Sequence, residues 1–242
     1  MSVFRQILFT AVVAGLIGGA LLTLLWNVGH VGVSSLILEA ETYENAAAEA
    51  PAVTTDAAAG ETAAAQAHEH EHGAEAWAPE DGTERLLYTL LTNTLMAVGF
   101  SLLLGAGFAV TGEATLKRGL LWGLAGFASF VLAPSLGMPP EVPGTEAAPL
   151  ADRQLWWWAT VLATGGGIAL IVYGRRIQYF VIAVALIAAP HIIGAPQPEA
   201  HGGLAPESLA HEFILVVMVT MLLFWLALGA ASGFFYRRFS AA

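Results

Sequence analysis

The sequence predicts an all-α, polytopic integral membrane helical bundle of about six transmembrane helices, with both termini cytoplasmic. Three observations carry this expectation. Hydrophobic residues make up 57% of the 242-residue chain and charged residues only 12%, roughly half the charge of an ordinary soluble domain. The apolar residues gather into six runs, each close to the length that a hydrocarbon core of about 30 Å requires. The basic residues sort almost entirely to one side of those runs.

The first run covers about 4–28, with Arg5 near its start. It is longer than the 7–15 apolar residues of a signal-peptide core, and no clean small-x-small site follows it closely, so a retained helix is expected. The longest polar segment comes next. Its 45–75 portion reads as a flexible external loop rich in Ala, His and Glu, a tether within a single membrane domain spanning 1–242. The remaining runs cover about 86–110, 119–137, 155–173, 177–195 and 213–236. Each must be helical in lipid, because an open strand would leave backbone groups unpaired. Gly15 and Gly19, like Gly119 and Gly123, have the spacing that lets two helices approach closely. Trp156, Trp157 and Trp158 suit a membrane interface.

With six spans, Arg5, Lys117, Arg118, Arg175, Arg176, Arg237 and Arg238 fall on one side, and only Arg85 and Arg153 on the other. The basic side is the cytoplasmic one. The other ionisable groups sort oppositely: Glu113 is the single cytoplasmic acid of 19, and all seven histidines lie on or near the outer side.

Four constellations could carry chemistry. His68, His70 and His72 alternate with Glu69 and Glu71, so in an extended chain the imidazoles share one side. Imidazole with carboxylate suits divalent first-row metals, and flexible flanks suit a collector better than a fixed site. A solvated polar tract is the plainer alternative. Glu80 and Asp81 lie in a Pro/Gly turn before the second run, where Asp81 or Thr83 could cap the helix and either acid could be a ligand. Glu39 and Glu41 follow an apolar stretch at the outer surface, as a solvated exit turn or as a cation mouth. His191, after Pro190 within the fifth run, is the sharpest single position: a histidine in an apolar span is costly, and a proline frees carbonyls beside it. His211 shares a helix face with Glu207 if the sixth helix begins that early. Asn93 could join helices or touch an ion.

The chain has no cysteine, so any metal is held by nitrogen or oxygen. A net charge of −10 argues against a nucleic-acid partner. The motifs of P-loop nucleotide hydrolysis, HExxH metalloproteases and GxSxG hydrolases do not occur. No enzyme activity and no tightly bound cofactor are expected.

The order of several segments resembles the CbtA family of cobalt transporter subunits. The matching pieces are Phe4-Arg5, residues 36–44, residues 77–82 after the His/Glu tract, and residues 118–127. Ala133-Pro134, Pro139-Pro140-Glu141, residues 153–157, Pro190-His191 and Gly194-Ala195-Pro196 follow. The family is usually described with one span fewer than the six runs read here. The resemblance implies cobalt uptake across a bacterial inner membrane, linked to cobalamin synthesis. It also implies a small His-bearing membrane subunit of the CbtB type; a homo-oligomer is a further possibility. Cobalt itself comes from the resemblance, since the side chains would equally accept nickel or zinc. The expected route is capture of the divalent ion by His68, His70 and His72 and passage into the bundle at His191, with Glu39, Glu41, Glu80, Asp81 and His211 around the mouth. Capture needs neutral imidazole and should weaken below about pH 6. The alternative is a metal-binding structural or regulatory subunit with no transport activity of its own.

Overall fold

The computed structural model describes residues 2–49, 79–112, 114–199 and 202–240. Among these the chain forms helices and no strand. They are α1 (Val3–Trp26), α2 (Val33–Glu49), α3 (Thr83–Thr111), α4 (Leu116–Ser135), α5 (Leu150–Tyr173), α6 (Ile177–Ile193) and α7 (Glu207–Ser240). Five of them, α1, α3, α4, α5 and α7, are long and apolar enough to cross a membrane. The fifth apolar run yields α6, which has 17 residues and a length of about 26 Å at 1.5 Å per residue. It is shorter than the run because Gly194, at φ 92°, ends it before Ala195 and Pro196. The chain is an all-α polytopic membrane protein, and its described residues hold five helices long and apolar enough to span and one shorter apolar helix.

The two most closely packed helix pairs run antiparallel. Gly15 and Gly19 of α1 lie against Val98 and Thr94 of α3, so residue numbers rise in one helix as they fall in the other. The same holds for Gly119 and Gly123 of α4 against Gly229 and Trp225 of α7. A Cβ on Gly119 would strike the Gly229 carbonyl, so this seam is backbone on backbone. In lipid, where apolar burial gives helices little reason to associate, such close approach supplies the dispersion contact that holds them. Both glycine pairs singled out by spacing therefore sit at helix–helix contacts. Behind them a core forms around Leu22, Phe108, Phe224, Trp225 and Leu228.

Local signals set the ends. Thr115 caps α4 by accepting the Arg118 backbone N–H at 3.2 Å. Gly112, at φ 71°, closes α3 with its N–H on the Phe108 carbonyl, a left-handed cap that costs glycine no strain. Within α4, Ala128–Leu132 take a π-helical turn just before Pro134. Proline lacks the N–H that an α-helical continuation would use.

Residues 36–44, read as a solvated exit turn or a cation mouth, lie within the helix α2. Val33, Leu36 and Ala40 form its buried stripe and pack with Leu209 and Phe213 of α7 and with Val142. Residues 45–49 of the expected tether continue this helix, and the rest of it lies outside the described residues. At 34 residues, α7 is about 51 Å long, so its first turns reach past the bilayer to receive α2. Beside them the loops on either side of the α5–α6 hairpin join, with Thr145 bridged to Gly203 and the Leu204 N–H on the Gly144 carbonyl at 3.2 Å. This cap forms an acidic end. The opposite, basic end gathers Arg5, Lys117, Arg118, the turn at Arg175 and Arg176, and Arg237 and Arg238.

Candidate functional site

The best-organised charges at the acidic end centre on Arg85. Its guanidinium grips both oxygens of Glu41, at 2.6 and 3.2 Å, and reaches Asp81 at 2.9 Å. Asp81 stands one helical turn before Arg85, while Glu41 arrives from α2. Arg85 is placed by the first turn of α3. Neither Asp81 nor Thr83 caps that helix: Gly82 occupies the N-cap position without a side-chain bond, which leaves Asp81 for the arginine. Two of the four carboxylates expected at a cation mouth are thus occupied by a protein cation. Glu39 and Glu80 are exposed, and the Glu80 N–H meets a Glu84 oxygen at 3.4 Å. The other acidic-end arginine, Arg153, pairs with Glu141 at 3.4 Å.

His191 occupies the last turn of α6, half-buried. The helix continues through Pro190 without a break. The Pro190 carbonyl accepts the Trp156 indole N–H at 3.1 Å and the Gly194 N–H at 3.0 Å. The Trp156 ring stands edge-on to His191, with centroids 5.9 Å apart. The Pro190 carbonyl thus locks α6 to α5. His211 is exposed on α7, one turn after Glu207, because α7 does start that early. His68, His70 and His72 lie outside the described residues. Among the described residues, no three His, Asp or Glu side chains converge as a metal-holding group.

A second feature was only partly legible. Asn93 donates to the Thr23 hydroxyl at 3.1 Å, and that hydroxyl donates to the Gly19 carbonyl at 2.9 Å. Deeper, Ser101 and Ser232 share a hydrogen bond of 2.9 Å, and near the basic end Gln6 donates to the Tyr236 carbonyl at 2.8 Å. The Thr10 hydroxyl is buried between these levels and has no protein partner. Buried polar groups thus run down the α1–α3–α7 interface. Asn93 stood out in the sequence, whereas the others are single small polar residues within apolar runs. The signal that would have found them is spacing: 93, 97, 101, 105 and 108 trace the buried face of α3.

Chemically, the described acidic end offers a spread of exposed carboxylates, an arginine-clamped pair and one half-buried imidazole. This suits attraction and weak exchange of cations better than tight chelation. Comparison with curated proteins and with solved structures gives no match. Comparison with protein-family models matches residues 4–237 to the family described as "Probable cobalt transporter subunit (CbtA)". With that match covering nearly its whole length, the chain belongs to the CbtA family.

Proposed function

We propose that the chain is the membrane subunit of a system that takes up divalent cobalt across a bacterial inner membrane, gathering the ion at its acidic end and passing it into the bundle. The family membership carries this reading. The charge distribution supports it, because the six-span reading of the sequence puts eighteen of nineteen acids on the side away from the basic helix ends, with all seven histidines on or near that side. Carboxylates gathered on one surface raise the local concentration of cations there. His68, His70 and His72 collect the ion, with Glu39, Glu80 and His211 as neighbouring donors. Glu41 and Asp81 become available only in exchange for Arg85. His191 takes up the ion at the α5–α6 hairpin, and the hydroxyl and amide groups between α1, α3 and α7 supply polar groups within an otherwise apolar interior. Cobalt is cargo on this reading, no reaction is catalysed, and a small His-bearing subunit of the CbtB type completes the system.

Isotopic cobalt uptake by cells expressing the chain tests it. Changing His68, His70 and His72 together to Ala should lower uptake mainly at low cobalt, and His191→Ala should lower it at every concentration. Unchanged uptake in His191→Ala removes that residue from the route. Purified protein in liposomes that binds cobalt without moving it would assign the chain the role of a metal-binding structural or regulatory subunit instead.

A further inference from the structure

A groove of about 680 Å³ opens between α3, α4 and α5. Its floor is Phe100, Leu104 and Trp225, and exposed leucines including Leu103, Leu121 and Leu162 rim it, so it faces the bilayer sideways. It exists because α5 meets α4 at the π turn and the end of that helix and touches its first half little. The two helices part towards the basic end. On the α5 wall a Cβ at Gly166 would meet nothing within 4 Å. A second cavity of about 560 Å³ continues the groove to the basic end and shares Arg118, Trp122, Val172 and Tyr173 with it.

We propose that this groove holds an acyl chain of an anionic phospholipid, with the phosphate at Arg118 and Tyr173. Three observations select this occupant. The walls are apolar apart from Ser129, and the one charged side chain lining the groove, Arg118, stands at the end where Tyr173 is also found. The groove follows α5 from Val161 to Tyr173, a rise of about 18 Å, close to the 15 Å or so of one leaflet. A partner transmembrane helix would need a groove running through both leaflets. The mouth also carries the charge that an anionic headgroup seeks: Arg118 lines both cavities, Lys117 precedes it, and Arg175 and Arg176 follow Tyr173. Basic pockets between helices at this membrane face are sites for anionic lipid.

The test is native mass spectrometry of the full chain extracted in mild detergent from bilayers of phosphatidylglycerol and phosphatidylcholine in equal parts. The wild type should retain phosphatidylglycerol in preference. Gly166→Phe fills the groove and should cut retained lipid at least ten-fold, with Gly166→Ala as the folding control. Should Gly166→Phe fail to purify, Gly166→Leu serves, because the site has room for it. Arg118→Gln should lower the preference for phosphatidylglycerol at least three-fold, and Arg118→Lys should restore most of it. Equal retention in the groove-filled variant, absence of an anionic preference in the wild type, or a dimer that Gly166→Phe dissociates would each overturn the proposal, the last by making a second copy the occupant.

Discussion

At the scale of single residues, Arg85 does more than place a positive charge at the acidic end. It ties α2 to α3 across 43 intervening residues by gripping Glu41 with two nitrogens while holding Asp81 with one of them. About a third of the Arg85 and Glu41 side chains remains exposed, so water screens the pair and its contribution is modest despite the paired geometry. A double-mutant cycle on Arg85→Gln and Glu41→Gln should give a coupling of about 0.5–1 kcal/mol in thermal unfolding, smaller at high salt. Strictly additive losses would show that the clamp contributes nothing beyond each side chain alone. The Asp81–Arg85 half of this clamp was readable, being a one-turn spacing at a helix start. The Glu41 half was not, because a pair so distant in sequence depends on how α2 docks. His191 teaches the same lesson: its cost in an apolar run marked it out, but only packing shows that the Pro190 carbonyl bonds to Trp156.

At the scale of elements, α2 shows where reading by hydrophobicity stops. The long spans were legible because lipid demands long apolar runs and admits almost nothing else. Outside the bilayer that demand lapses, and α2 carries a narrow stripe of Val33, Leu36 and Ala40 beneath a face of acids. Its spacing of three and four was present, yet the acids made it read as a solvated turn or a cation mouth. The π turn of α4 was equally invisible, since it is a backbone adjustment near Pro134 with no side-chain pattern of its own. The stripe gives a test of docking. Leu36 is 2% exposed, and truncating a buried leucine costs about 2 kcal/mol or more. In Leu36→Ala, α2 should therefore lift from α7 about 30-fold more often. The chain has no cysteine, so Ala40→Cys, at a fully buried position, provides a clean reporter. Its alkylation should accelerate by that factor in the Leu36→Ala background, and an unchanged rate would mean that α2 is held by something other than this stripe.

At the scale of the whole molecule, the helices form an alternating series whose loops divide by charge, and α6 is the weak step. Seventeen residues are at the lower limit for crossing a bilayer, and α6 packs chiefly against α5 alone. Two features nevertheless place its far end with the acidic cap. The Trp156 indole at the start of α5 bonds to Pro190 at the end of α6, so the hairpin is antiparallel and complete. The bridge from Thr145 to Gly203 then joins the loop before α5 to the loop after α6. Were α6 to stop short, that bridge would have to cross the membrane, and Arg237 and Arg238 would be carried to the same side as the acids, against the tendency of basic residues to stay cytoplasmic. Single cysteines therefore separate six crossings from five. Thr145→Cys and Gln197→Cys should both react with a membrane-impermeant maleimide on intact cells, and Ser240→Cys should react only after the membrane is opened. Labelling of Ser240→Cys from outside, with Gln197→Cys silent, would mean that α6 does not cross and that the two loops meet differently in the membrane. Reversed labelling at all three positions would instead leave six crossings in place and turn the acidic end, with its histidines and carboxylates, towards the cytoplasm.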